Sequence, residues 1–459
     1  MFQTAFRTAG TESGGGGMSS LPLQFGAGPW DPVTAVEAAL DGAGGGHARH
    51  VFIALDADDS RRSAEASRNR LRRGEARPLD GVAIAWKDVF ARIGDVSTAG
   101  SRMPVLRTVG HRTAPIVHRM EELGAVFFGR TNLSEMALGG LGLNPHYGTP
   151  VNALSLDRDR APGGSSSGSA VAVALGLVPA AFGTDTSGSI RVPAAFNGIT
   201  GFRPSHGRYP EAGVFALAPG LDTVGILARG AGDVAFLDGL ICREPALGGY
   251  PKPSGLVVPE TIVLDGLDPI VAERFDGALS ALSSQGVRIT HRPLQSFDML
   301  HSAMERHGTP VVAEAYRRHG GLLRGPDVGL MDPNVRRRLS AGAEISDQSL
   351  TELGLARQQA RRFLQRELGK EALAFPTVPI VAPLLADLVD PDSIARLNAL
   401  ALRNTMLGSL LDMPSISLPI GTGPGGLAAG LQLSMTRGRD RALLEFARDA
   451  ERSLALMTP

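Results

Sequence analysis

The 459-residue chain has one cysteine, Cys242, so no internal disulfide can form. It has no surplus of either charge: lysine plus arginine and aspartate plus glutamate number 46 each. That balance gives no overall attraction to nucleic acid or to an anionic membrane surface, and neither is expected as a partner. No apolar run approaches the roughly 20 residues that a membrane span needs. The first twenty residues contain Arg7 but no continuous apolar stretch, which argues against a secretory signal. Residues 1–20 therefore read as a disordered lead-in, with Met18 behind the glycine run as an alternative start. The ten histidines are scattered, and none lies in an H-E-x-x-H pair or a G-x-S-x-G elbow. These absences point to a soluble, cytoplasmic protein with no motif for a metal.

What is present is globular composition, 43% hydrophobic and 20% charged, at a length that allows a sizeable core. The stretch from Asp31 to Arg73 predicts two helices, the first capped by Asp31 ahead of Pro32. Apolar runs at Gly81–Trp86 and Gly124–Gly129 read as buried strands on either side of a helix in "TAPIVHRMEELG". In "TNLSEM", Asn132 reads as a helix cap with Glu135 at capping-box spacing. "ALAFPTVP" and "PSISLPIG" read as strands, "LARQQARRFLQREL" and "DRALLEFARDAERSLALM" as amphipathic helices. Strands alternating with helices predict an α/β architecture with a parallel or mixed sheet covered on both faces. One domain over 21–459 is expected, with a more helical, arginine-rich insertion over about 230–369. Its "VRRRL" run, Val335 to Leu339, reads as a solvated helix face.

Two glycine–serine turns carry the chemistry. "PGGSSSGS", Pro162 to Ser169, has linker composition, but it feeds straight into "AVAVALGLVPAAFG", which is uncharged and must be buried. The second turn, "TDTSGS" from Thr184 to Ser189, follows that buried helix, and the two turns can meet at the sheet edge. Ser189 fits a hydroxyl exposed in a tight turn, and Gly188 with its small neighbours allows a cradle of consecutive amides for an oxyanion. Of the basic groups, Lys87 is delivered by a buried strand, where desolvation disfavours its ammonium form and equips it as a base. Asp185 and Arg191 read as a charge pair that pins the nucleophile turn. The other serines of the first turn read as caps of the following helix. His206 is not favoured as part of a Ser-His-Asp set, and Cys242 reads as an inert core residue.

In these residues the chain is similar to the amidase signature family. The matching segments, in order, are "GVAIAWKD", "GRTNLSEM", "APGGSSSGSA", "FGTDTSGSIRVPA", "GFRPS", "FPTVP" and "MPSISLPIG", and Ser165 and Ser189 stand 24 residues apart as the family's two catalytic serines do. The resemblance implies an α/β/α sandwich with a central mixed, mostly parallel sheet. It also implies a triad that works without metal or cofactor: Ser189 as nucleophile, Ser165 as the bridging serine behind a cis peptide bond, and Lys87 as base. Backbone N–H groups of Thr186, Ser187, Gly188 and Ser189 would form the oxyanion hole, and Asn132 and Met136 would line the acyl pocket. Ser187 departs from the family's usual glycine, and its Cβ tolerates positive φ poorly. Val89 stands where the family often has a polar residue. The implied activity is amidohydrolysis of a small carboxamide to acid and ammonia or amine, with a homodimer left open. The alternative is the glutaminase (A) subunit of a tRNA-dependent amidotransferase, which would pass ammonia to a partner.

Overall fold

The computed structural model describes residues 31–455 apart from 157 and 246, so the expected lead-in over 1–20 lies outside the described residues. Asp31 caps the helix Pro32–Ala43, its Oδ2 accepting the Thr34 N–H at 3.1 Å, and proline occupies the first turn. A second helix, Ala57–Arg73, follows, and between them Phe52–Leu55 forms an edge strand that the two-helix reading passed over. Its four residues are partly exposed, so they lack the continuous apolar run that marks the inner strands.

The sheet has eleven strands. In spatial order they are Phe52–Leu55, Val126–Thr131, Ala83–Lys87, Ala180–Asp185, Thr223–Ala228, Thr200–Arg203, Ser415–Thr422, Ala428–Ser434, Ala372–Pro376, Leu256–Pro259 and Ile289–Arg292. This is the mixed sheet of an α/β sandwich. Its parallel pairing is concentrated in two three-strand blocks, one centred on Ala83–Lys87 and the other on Leu256–Pro259. All other neighbours in the sheet pair antiparallel.

Strand alternation sorts the side chains onto two faces. Trp86 and Phe182 point to one face, stacked at 4.5 Å, and join a core with helices Pro115–Glu122, Ala231–Cys242, Pro269–Ser284 and Asp440–Ala455. Ala85 and Ala181 point to the other, where their small size admits helix Ser167–Ala174 close to the sheet. The stretch 230–369 is largely helical, and it also supplies the strands Leu256–Pro259 and Ile289–Arg292, which extend the same sheet at its far edge. One of its helices, Pro310–His319, is fastened to the loop before Asp222. Glu314 accepts the Gly220 N–H at 2.8 Å, and the His319 ring stacks on Phe215 at 4.9 Å.

The capping box at Asn132 is overturned. A single 3-10 turn, Glu135–Ala137, forms there, and Met136 and Ala137 have φ of 54° and 58°. Tertiary partners take the two side chains that the box would have used. Glu135 accepts from Ser101 Oγ at 2.5 Å and from the Asp332 N–H at 2.7 Å, while Asn132 Nδ2 donates to His50 and Gly148 carbonyls at 2.8 and 2.7 Å.

Candidate active site

Lys87 ends its strand with no solvent exposure, where the backbone leaves the sheet. Its Nζ stands 2.7 Å from Ser165 Oγ and 2.8 Å from Thr184 Oγ1, so both partners are neutral hydroxyls. Burial lowers the lysine to about 7, with Asp222 and Asp185 acting in the opposite direction. A base is thereby available near neutral pH, in contact with a serine.

At Gly163 and Gly164 the loop that carries Ser165 has room for no side chain but hydrogen. A Cβ on Gly164 would lie 2.5 Å from the Gly142 nitrogen, and Gly163 has φ of 74°. The Gly164–Ser165 peptide bond is cis. The neighbouring serines do not cap the helix as the sequence suggests. Ser166 occupies the cap position without a capping hydrogen bond; its Oγ donates to the Thr184 carbonyl at 3.3 Å. Ser167 and Ser169 donate likewise, to the Asn132 and Phe182 carbonyls at 3.4 and 3.2 Å. The helix begins inside the protein, where strand-end carbonyls lack water and require donors, and the hydroxyls meet that need.

The two turns meet, with the Ser166 N–H donating to the Ser189 carbonyl at 3.2 Å. Ser189 is 5% exposed, and its Oγ shares no hydrogen bond with Ser165 Oγ among the described residues. Asp185 holds the turn from behind. Its carboxylate accepts from Arg191 Nε and Nη2 at 3.0 and 2.9 Å and from the Ile190 N–H at 3.1 Å. Burial works against the Asp185 charge, but Arg191 and Arg203 outweigh it and hold the carboxyl well below the usual range. Arg191 continues to the Thr405 carbonyl at 2.9 Å and to Ser409 Oγ at 2.7 Å, linking the turn to helix Pro391–Leu410. Removing Arg191 leaves the buried Asp185 carboxylate with Arg203 alone and takes away the bonds to Thr405 and Ser409. Arg191→Ala is therefore expected to destabilise the fold by about 3–5 kcal/mol, read as a lowered denaturant midpoint.

Ser187, the departure from glycine, keeps a negative φ, and its carbonyl accepts the Thr405 hydroxyl at 2.6 Å. The positive φ falls on Gly188, at 142°, where a Cβ would lie 2.1 Å from Thr405 Oγ1. Among the described residues the N–H groups of Thr186, Ser187, Gly188 and Ser189 donate to no protein acceptor. Four adjacent free donors beside a serine hydroxyl are the kind of group that a developing oxyanion requires. Gly188→Ala is expected to displace Thr405 and with it Ser187. It should lower both the melting temperature, by roughly 5 °C or more, and kcat, checked by thermal melts and amide turnover.

Two further residues complete the centre and carry no signal in the sequence. Asp222 accepts the Thr186 hydroxyl at 2.6 Å and the N–H groups of Leu217 and Ala218 at 2.8 and 2.9 Å. Burial pushes its carboxyl up despite these donors. Thr184, in the sequence merely the first residue of the turn, is the second partner of Lys87.

Asn132 and Met136, the expected pocket residues, are both fully buried. The Asn132 amide group is used up by protein partners, its Oδ1 accepting the Leu133 N–H at 2.8 Å, and the side chain pins three loops together. Met136 is buried in an apolar cluster with Leu138, Leu217 and Leu221. His206 Nε2 lies 3.0 Å from the Pro219 carbonyl, outside the serine cluster. In the "VRRRL" run Arg337 is exposed and pairs with Asp392 at 2.7 Å, but Arg338 turns inward and donates to the Leu138 carbonyl at 3.0 Å, so that face is not uniformly solvated. Cys242 is half-buried, and burial pushes its thiol up to about 12, which disfavours the nucleophilic thiolate. Among the described residues no group of three or more His, Cys, Asp or Glu side chains is placed to hold a metal ion, and no helix is long and apolar enough to cross a membrane.

Known proteins are similar to this chain in sequence and in fold. A family model described as Amidase matches residues 34–444. Indoleacetamide hydrolase of Pseudomonas savastanoi is 34% identical over 401 residues, which span 83% of this chain and 85% of that protein. The A subunit of the glutamyl-tRNA(Gln) amidotransferase of Cupriavidus necator is 33% identical over 454 residues, spanning 87% of this chain and 89% of the relative. A solved structure described as "Crystal structure of amidase" superposes with a TM-score of 0.82 at 32% identity, covering 92% of this chain and 96% of that one.

Proposed function

Because the chain belongs to the amidase signature family and is a hydrolase acting on amides, we propose that it cleaves a carboxamide C–N bond through an acyl-enzyme on Ser189. Neutral Lys87 draws the Ser165 proton, and Ser165 draws the proton of Ser189 as that oxygen attacks the amide carbonyl. The carbonyl oxygen gains negative charge and is met by the free N–H groups of Thr186, Ser187, Gly188 and Ser189. Collapse of the tetrahedral intermediate breaks the C–N bond, and the relay run in reverse hands the leaving nitrogen its proton. Water then attacks the ester along the same path, releasing the acid and restoring Ser189. No step needs an oxidant or a reductant.

The observation that carries this reading is the buried Lys87 amine at 2.7 Å from Ser165 Oγ, lowered to about 7 by desolvation. A lysine kept for structure alone would be expected to reach solvent or pair with a carboxylate, and this one does neither.

A second reading, a glutaminase chain working inside an amidotransferase, is supported by the 33% identity to the amidotransferase relative. One experiment separates the two. The chain purified alone is incubated with indoleacetamide, glutamine and simple aliphatic and aromatic amides, and released ammonia is measured. The free-standing amidase is expected to turn over at least one amide unaided. Hydrolysis of glutamine alone, and only when a partner chain co-purifies, would establish the second reading instead.

A further inference from the structure

A cavity of about 290 Å³ lies against the reaction centre. Two of its lining residues touch the catalytic machinery: Thr184 Oγ1 is 2.8 Å from Lys87 Nζ, and Asp222 accepts the Thr186 hydroxyl at 2.6 Å. Much of the wall is apolar, formed by Val214, Phe215, Ala216, Pro219 and Val224. Phe215 is held in place by the stacked His319 ring, and the Ala216 carbonyl lies 2.8 Å from His319 Nε2. A cavity of this size, walled by small and aromatic side chains and bordered by the side chains that contact Lys87 and Thr186, suits one compact substituent of a substrate.

Its polar groups differ in how they are satisfied. Asp222 already accepts three donors. Glu211, half-buried on the same wall, makes no hydrogen bond and no ion pair through its carboxylate among the described residues. Arg318, exposed at the rim, forms no ion pair with it, and His206 and Arg203 act on it only at a distance. Partial withdrawal of a carboxylate from water is unfavourable, and burial raises the Glu211 carboxyl. A bound ammonium group would give the half-buried Glu211 a charged donor in place of water, whereas a carboxylate in the same place would face two acidic side chains, with Arg318 as the cation at the rim.

We infer that this cavity is the pocket for the substrate's substituent and that Glu211 selects amides bearing a protonated amine. The inference rests on the amidase reading and adds to it a class of substrate. Hydrogen bonds to charged groups contribute about 1.5–3 kcal/mol, which corresponds to roughly a 10- to 100-fold preference.

The test uses three amides of equal length that end in an ammonium, a hydroxyl or a carboxylate, assayed with the full chain. The ammonium amide is expected to show a kcat/KM about tenfold or more above the neutral one, with the carboxylate lowest. Glu211→Gln should cut the ammonium-to-neutral ratio by about tenfold, mainly through KM. Ala216→Leu narrows the same cavity without altering the carboxylate, and should raise KM for the ammonium amide severalfold. Labelling of Ser189 by methanesulfonyl fluoride, a probe too small to need the cavity, reports separately on the folded nucleophile in every variant. If wild type shows no preference for the ammonium amide, or if labelled Glu211→Gln keeps the full preference, the inference is wrong and the amidase reading stands. If Ser189 in wild type is never labelled and no amide is hydrolysed, the amidase reading itself fails.

Discussion

Ser189→Ala is expected to lower kcat for any amide substrate by roughly three to six orders of magnitude, because the acyl-enzyme cannot form without the hydroxyl. The loss should come without unfolding. Ser189 is 5% exposed and its Oγ has no hydrogen-bond partner among the described residues, so truncation orphans no donor or acceptor. The Asp185–Arg191 pair and the Ser166–Ser189 backbone bond that shape the turn do not depend on that hydroxyl. Two measurements report the outcome: ammonia release from the best amide, and covalent labelling by a fluorophosphonate or sulfonyl fluoride. An unchanged melting temperature with both signals gone is the expected pattern. Labelling that persists in the variant would remove Ser189 as the nucleophile.

Lys87→Met should be nearly as damaging to turnover, by about a thousandfold or more, and it makes two further demands that a structural lysine would not. The first concerns pH. With the lysine lowered to about 7, the wild-type rate should climb as pH passes through that value and the amine loses its proton. Below it, kcat/KM should fall about tenfold per pH unit, and the variant's residual rate should lack this limb. A flat wild-type profile between pH 6 and 8, or a variant with near-normal activity, would sink the assignment of the base.

The second demand concerns stability. In the folded protein the lysine titrates near 7, below the ordinary lysine value of 10.5 that it regains on unfolding. Between those two values the unfolded chain binds the extra proton, so wild-type stability should rise with pH through this window, by up to about 1.4 kcal/mol per unit. Below pH 7 both states are protonated and the full cost of burying the ammonium remains. The methionine variant carries no such charge. It should be more stable than wild type at pH 6.5, with the advantage shrinking as pH approaches 10, which denaturant melts at pH 6.5 and 9.5 would show.

The parts of this site that were legible in the sequence share a physical property: their chemistry is local. A glycine that must adopt positive φ, a run of serines before a buried helix, and an aspartate six residues from its arginine partner are each written in one short segment. Lys87 was legible because a charged residue at the end of a wholly apolar strand is conspicuous. The strand Phe52–Leu55 was not, because an edge strand half open to water carries no strong pattern. Asn132 shows the opposite failure. A capping-box signature was present, and partners at His50 and Gly148, far along the chain, outweighed the local preference.

By itself, then, the sequence determined the alternating α/β character of the chain, the two small-residue turns and the types of side chain available for catalysis. These follow from periodicity and from backbone freedom, which act over a few residues. The tertiary structure alone decided which hydroxyls Lys87 touches, that Asp222 holds Thr186 from 36 residues away, and that Thr405 supports the Ser187 carbonyl from 218 residues away. It also left Glu211 without a partner among the described residues, beside the reaction centre. How far the lysine is depressed is of the same kind, although its direction could be read from the buried strand. Desolvation depends on everything packed around a group, and for Lys87 those neighbours come from strands and turns that only the folded sheet brings together.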